Sequence, residues 1–187
     1  MTGRLWKHGV AWALAAAFGL AGCDGSWDLM ARGRSQAAMP GELSKETPYQ
    51  PVHVPSPLSE LLPRAIQIHE FTAVEKFAAG KQGVNLRIQC TDGFGSRTKA
   101  FGRFRFELHE FVPAEPQSAG AMIRWWAVDL LPVPANKQHW QNTLMLYEFK
   151  LECDQPLAMD SKYVLVATFD SPYTDRLYTE RVFVARP

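Results

Sequence analysis

Val84-Asn85-Leu86-Arg87-Ile88-Gln89-Cys90 alternates apolar with polar side chains over seven residues. Successive side chains of a strand point to opposite faces, so this period of two predicts a strand with one buried face. The same reading extends toward the C-terminus. Phe104, Phe106 and Leu108 alternate with Arg103, Arg105, Glu107 and His109. Met145, Tyr147, Phe149, Leu151 and Cys153 alternate with Leu146, Glu148, Lys150 and Glu152. Tyr163, Leu165, Ala167 and Phe169 interleave with Val164, Val166 and Thr168, which predicts a strand buried on both faces. Val182 and Val184 close the chain in the same style, and Ile66–Val74 and Met122–Leu130 bring the total to about seven strands.

Turn-forming clusters separate these runs: 79–83, 91–96, 113–120, Asp160-Ser161 and Ser171-Pro172. Short strands with little helix between them predict an all-β fold, an antiparallel β-sandwich of immunoglobulin-like or C2-like form, with a closed barrel as the alternative. A domain of this size buries about two thirds of its unfolded surface and needs no metal to fold. The longest connection, Pro132 to Asn142, contains Asn136–Gln141, which can form a helical turn across one end with Trp140 over the core.

Upstream the pattern changes. Between Asp24 and Leu62 there is no sustained apolar period, and six of the 13 prolines lie between Pro40 and Pro63. Proline fixes φ and donates no hydrogen bond, so residues 23–63 read as an extended linker before a domain at 64–187. A flexible chain of that length spans roughly 35 Å end to end. Short helical pieces fit Trp27–Met39 and Pro57–Leu62, the latter with Ser56 as cap and Pro57 at its first position.

At the N-terminus, Arg4 and Lys7 precede an apolar run from Val10 to Leu20, followed by Leu20-Ala21-Gly22-Cys23. About a dozen apolar residues suit a signal peptide rather than a membrane span, which needs about 20. Leu20–Cys23 resembles a lipobox. The resemblance implies that bacterial processing removes residues 1–22, places a diacylglycerol on the Cys23 sulfur and adds a further acyl chain to its new amino group. Two or more chains anchor a protein stably, whereas one does so only marginally. The protein would then be lipid-anchored in the cell membrane or outer membrane, facing an extracytoplasmic space.

Without residues 1–22 the chain holds 18 Lys and Arg against 19 Asp and Glu, a net charge of −1. No basic surplus points to nucleic acid, and no polybasic cluster points to lipid headgroups. Cys90 and Cys153 fall among strand residues, where a disulfide is permitted outside the cytoplasm; free, buried thiols fit the pattern equally. Cys90, the Trp125-Trp126 pair and Cys153 resemble the cysteine and tryptophan framework of immunoglobulin domains. The tryptophans come two strands after Cys90 rather than one hairpin after it. Leu151 stands where that framework has the tyrosine of the tyrosine corner. Asp92-Gly93-Phe94-Gly95, Lys99-Ala100-Phe101-Gly102 and Phe104–Leu108, with Val128-Asp129-Leu130 and His139-Trp140, resemble a segment of uncharacterised bacterial lipoproteins. That likeness implies a fold class and no activity.

Catalytic chemistry finds little support. There is no Gly-x-Ser-x-Gly elbow and no glycine-rich phosphate loop before a helix. His69-Glu70-Phe71 and His109-Glu110-Phe111 would offer a metal site only on neighbouring strands, and polar residues on a solvated face explain both triplets. Asp92, Asp170 and Asp175 could gather at one end as calcium ligands, but each also suits ordinary turn chemistry. Glu107 and Glu148 could serve a hydrolase only if they shared a cleft. Trp125 and Trp126 must face opposite sides of a strand, and the outward one, with Tyr173 or Tyr178, is the candidate binding surface. The expectation is therefore a membrane-anchored, non-enzymatic binding or structural module with no cofactor and an envelope protein or glycan as partner. A calcium-dependent C2-like module is the alternative, and an envelope hydrolase ranks below it.

Overall fold

The computed structural model describes residues 49–77, 80–113 and 118–186. The signal segment, Cys23, the 27–39 piece and most of the expected linker lie outside them. No helix among the described residues is long and apolar enough to cross a membrane.

Two antiparallel sheets pack face to face. The first contains β1 (Pro63–Ile68), β2 (Ala73–Lys76), β3 (Gln82–Asp92), β6 (Trp140–Gln141) and β7 (Leu146–Glu152). Its order is β1-β3-β7-β6, with β2 also paired to β3. The second contains β4 (Arg103–Phe111), β5 (Ala119–Asp129), β8 (Lys162–Asp170) and β9 (Leu177–Val184) in the order β5-β4-β8-β9. Counting β1 with β2 as one strand A, and the rest in turn as B, C, C′, D, E, F and G, the sheets read ABED and C′CFG. That is immunoglobulin-like strand order.

The alternation of β4 is intact and that of β3 from Val84 to Cys90 is interrupted only at the buried Asn85, whereas in β9 it is Phe183 that is buried and Val182 that is exposed. Val84, Leu86, Ile88 and Cys90 face Phe104, Phe106, Leu108 and Phe169 across the sandwich, all with no exposed surface. Phe104 anchors this layer, with ring centroids 5.4 Å from Phe106, 5.6 Å from Phe149 and 4.7 Å from Phe169. Each such ring stabilises the fold by about 1.5–3 kcal/mol through burial alone. Strand β8 is buried on both faces, as expected: Val164 on its outer side is covered between His109 and Val182.

Several expectations need correction. The run Ile66–Val74 is two strands, because residues 69–72 leave the ladder in a turn closed by Thr72 N–H donating to the His69 carbonyl at 3.0 Å. With the two-residue β6, the described residues form nine strands against the expected seven or so. The turn near Pro57 is a 3-10 turn over Leu58–Leu61 with Pro57 at its cap position, and the Ser56 side chain does not cap it. Its residues hold to the sandwich: Gly93 N–H donates to the Glu60 carbonyl at 2.9 Å and the Thr98 hydroxyl to that of Leu61 at 3.0 Å. Met145 is exposed at φ 53° and belongs to the turn before β7, while Leu146 is buried. The helix in the long connection, α1, starts earlier and covers Val133–His139, with Pro134 in its first turn.

The two cysteines are free and buried. Cys153 N–H donates to the Gln82 carbonyl, at the start of β3, whereas Cys90 lies eight residues further along that strand. At ~3.4 Å per residue the separation is roughly 27 Å, and a disulfide needs Cα atoms within about 7 Å. In immunoglobulin terms Cys153 follows strand E, not F, so the framework disulfide has no second half. The tyrosine corner, by contrast, is present: Tyr163 is the second residue of β8, and its hydroxyl accepts from Ala158 N–H at 2.9 Å. Reading it relative to Cys153 placed it one strand too early.

Candidate functional site

The end of the sandwich where β3, β5, β7 and β8 meet α1 carries the most elaborate polar chemistry. The loop from Gly93 to Gly102 crosses it. The Asp92 carboxylate accepts from Phe94 N–H at 3.0 Å and Ser96 N–H at 2.8 Å, which folds the loop back on β3. Gly95 turns the chain at φ 81°, and a Cβ on Gly93 would collide with the Glu60 carboxylate. The loop is then pinned from inside. Ala100 N–H donates to the Tyr147 hydroxyl at 2.9 Å, and that hydroxyl donates to Asn136 Oδ1 at 2.9 Å. The Asn136 amide donates to the carbonyls of Ala100 at 2.7 Å and Leu130 at 3.0 Å. Burial holds the Tyr147 hydroxyl well above the usual tyrosine range, although its hydrogen bonds to Ala100 and Asn136 oppose the shift. It is therefore neutral and structural.

Over this base lies a groove of about 600 Å³, bordered by Leu61, Phe101, Trp140 and Met145 with Arg97 and Lys99. Arg97 donates to the Leu144 carbonyl at 2.6 Å. Lys99 Nζ stands 5.4 Å from the Trp140 ring centroid, and Trp140 meets Tyr147 edge-on at 5.0 Å. No carboxylate lines the groove among the described residues. It offers two cations, an aromatic wall and apolar side chains, and no nucleophile paired with a base. A second recess of about 580 Å³ at the opposite end is walled by Val74, Pro156, Leu157 and Met159.

The expected binding aromatics do not form one patch. Trp125 lies on the outer face of the β5-β4-β8-β9 sheet under the Arg105 guanidinium, 5.0 Å from its centroid. Tyr178 is on that face too, three strands away on β9, a separation of about 14 Å. Between them run the Arg105–Glu107 pair at 2.7 Å and the Glu107–His109 contact at 3.1 Å. Tyr178 donates to Glu180 at 2.6 Å; partial burial and that carboxylate push its hydroxyl up to about 12. Trp126 faces the other way and donates to the Glu152 carbonyl at 3.0 Å. Tyr173 is in the β8–β9 loop at the α1 end. Trp140 was legible as a core cover and, like Lys99, as part of a likeness that implies no activity, while Arg97 carried no sequence signal.

The metal and hydrolase geometries do not assemble. Among the described residues no three of His, Cys, Asp and Glu converge. Asp92 is spent in its turn, Asp170 is paired with Arg176 at 2.9 Å, and Asp175 joins neither. His69 follows β1 in one sheet and His109 lies on β4 in the other. Glu107 and Glu148 sit on the outer faces of opposite sheets, so they share no cleft. Glu148 instead belongs to a surface cluster. It accepts from Asn85 at 2.8 Å, Arg87 at 3.1 Å and Gln141 at 3.0 Å. Burial alone would push this carboxyl up, but the bonds from Asn85 and Arg87 hold it below the usual glutamate range. Cys90 has its thiol pushed up by burial, and Cys153 likewise against the opposing field of Arg124, so neither is an activated nucleophile. No family model matches the chain, and neither does any curated protein or any solved structure.

Proposed function

We propose that this protein is a non-enzymatic binding module of the bacterial cell envelope, lipid-anchored through Cys23, whose α1 end receives an envelope partner. One observation carries the reading: the groove at that end sets Trp140 and Phe101 beside Arg97 and Lys99 with no carboxylate among its walls. Aromatic faces supply apolar contact area and the two cations select for negative charge, a combination suited to recognition rather than bond cleavage. The separation of Glu107 from Glu148 and the raised cysteine thiols weigh against hydrolytic or thiol chemistry.

Retention of the full chain on isolated envelope material, with and without Arg97→Glu and Lys99→Glu, tests the proposal. The double variant is expected to elute at lower salt, while Lys150→Glu, on β7 toward the opposite end of the sandwich, leaves retention unchanged. Equal retention of all three, or a reproducible hydrolase activity from the purified protein, would remove this function.

A further inference from the structure

We infer that the partner at the α1 end is an anionic bilayer surface, on which the sandwich stands loop-end down. This rests on the envelope-anchored reading above. Three observations converge on it.

The first is where apolar surface lies. Leu58, Leu61, Phe94, Phe101, Val133 and Met145 are all exposed at this one end, and Phe94, at the tip of the Gly93–Gly102 loop, is 67% exposed. They come from four separate segments: the 3-10 turn, the β3–β4 loop, the start of α1 and the turn before β7. Apolar tips from separate loops suit insertion into the boundary between headgroups and acyl chains.

The second is how cations are used. At the opposite end, Lys81 pairs with Glu152 at 2.6 Å and Arg124 with Asp154. At the α1 end, Arg64 pairs with Glu60 at 3.2 Å and Arg176 with Asp170 at 2.9 Å, whereas Arg97 bonds a backbone carbonyl and Lys99 stands over Trp140. Among the described residues neither Arg97 nor Lys99 meets a carboxylate, and both border a groove with apolar walls, as basic side chains do when the charge reaches headgroup level.

The third is the path of the chain. Val52 N–H donates to the Pro172 carbonyl at 2.6 Å, and the Arg103 guanidinium is 5.8 Å from the Tyr49 ring centroid. Pro172 is in the β8–β9 loop and Arg103 opens β4, so the chain leading back to Cys23 meets the sandwich at this end. A lipid on Cys23 would therefore draw these loops, and not the opposite recess, toward the bilayer.

The test is amide hydrogen exchange on the full lipidated chain. It is reconstituted in vesicles of phosphatidylethanolamine with phosphatidylglycerol, and separately in vesicles of phosphatidylcholine alone. Amides of 58–62 and 93–101 are expected to exchange at least about fivefold more slowly on the anionic vesicles, because each basic group near an anionic surface adds attraction of that order. Those of 156–161 should not differ. Arg97→Gln with Lys99→Gln should abolish the difference, and Lys99→Gln alone should halve it or more. Leu61→Ser with Phe94→Ser should speed exchange on both kinds of vesicle. Equal exchange of the loop end on both vesicles overturns the proposal. So does protection by soluble peptidoglycan fragments where vesicles give none, which would make the ligand a glycan. Intact mass of the same sample keeps the two readings apart. Acylated Cys23 with an unprotected loop end overturns docking alone. An unmodified chain whose loops are still protected removes the anchor and leaves docking standing.

Discussion

Tyr147 shows how much one hydroxyl can decide. Its ring completes the phenylalanine layer, as the alternation around Phe149 predicts, but its oxygen ties α1 to the β3–β4 loop through Asn136 and Ala100. Tyr147→Phe keeps the ring and leaves a buried Asn136 oxygen and the Ala100 amide without their partner. The expected cost is about 1–3 kcal/mol in urea denaturation. The position was legible as core; its polar role was not, because Asn136 and Ala100 are contributed by segments 11 and 47 residues away. The cysteines make the opposite case. Buried and far apart, they should give the same mass after alkylation with or without prior reduction. Cys90, with no exposed surface, should react only once the protein is unfolded. A mass shift that appears only after reduction would contradict the register of β3 against β7.

At the scale of elements, β7 is the informative strand. Its partner β6 covers only Tyr147 and Leu146, so the rest of its outer edge would stand open to other chains. Side chains close it instead. The Trp126 indole donates to the Glu152 carbonyl, and His139 meets the Glu148 carbonyl at 3.0 Å. Trp126→Phe should cost about 1 kcal/mol and increase self-association in light scattering, since it opens a strand edge while keeping most of the apolar contact. The outer face of the same strand sets an acid limit. Glu148 has its carboxyl held below the ordinary value of about 4.3, so its bonds to Asn85 and Arg87 stabilise the fold above that pH. The contribution is lost as pH falls through the lowered folded value. Acid denaturation of Glu148→Gln should therefore be less steep below about pH 4 than that of the parent.

For the whole molecule, both sheets share one layer of side chains, so neither can persist without the other. Tryptophan fluorescence and far-ultraviolet circular dichroism should report a single coincident urea transition. Two separated transitions would mean that the sheets are independent. The strand-rich class, the burial of both β8 faces and the opposed directions of Trp125 and Trp126 were all readable beforehand, because side-chain alternation along an extended chain is a local property. The immunoglobulin-like order, the distance between Cys90 and Cys153, the separation of Glu107 from Glu148 and the meeting of Arg97, Lys99 and Trp140 were not. Those depend on which strands pair and in which register. Pairing is decided by contacts between residues tens of positions apart, where burial of apolar surface must outweigh the entropy of closing the loops between them.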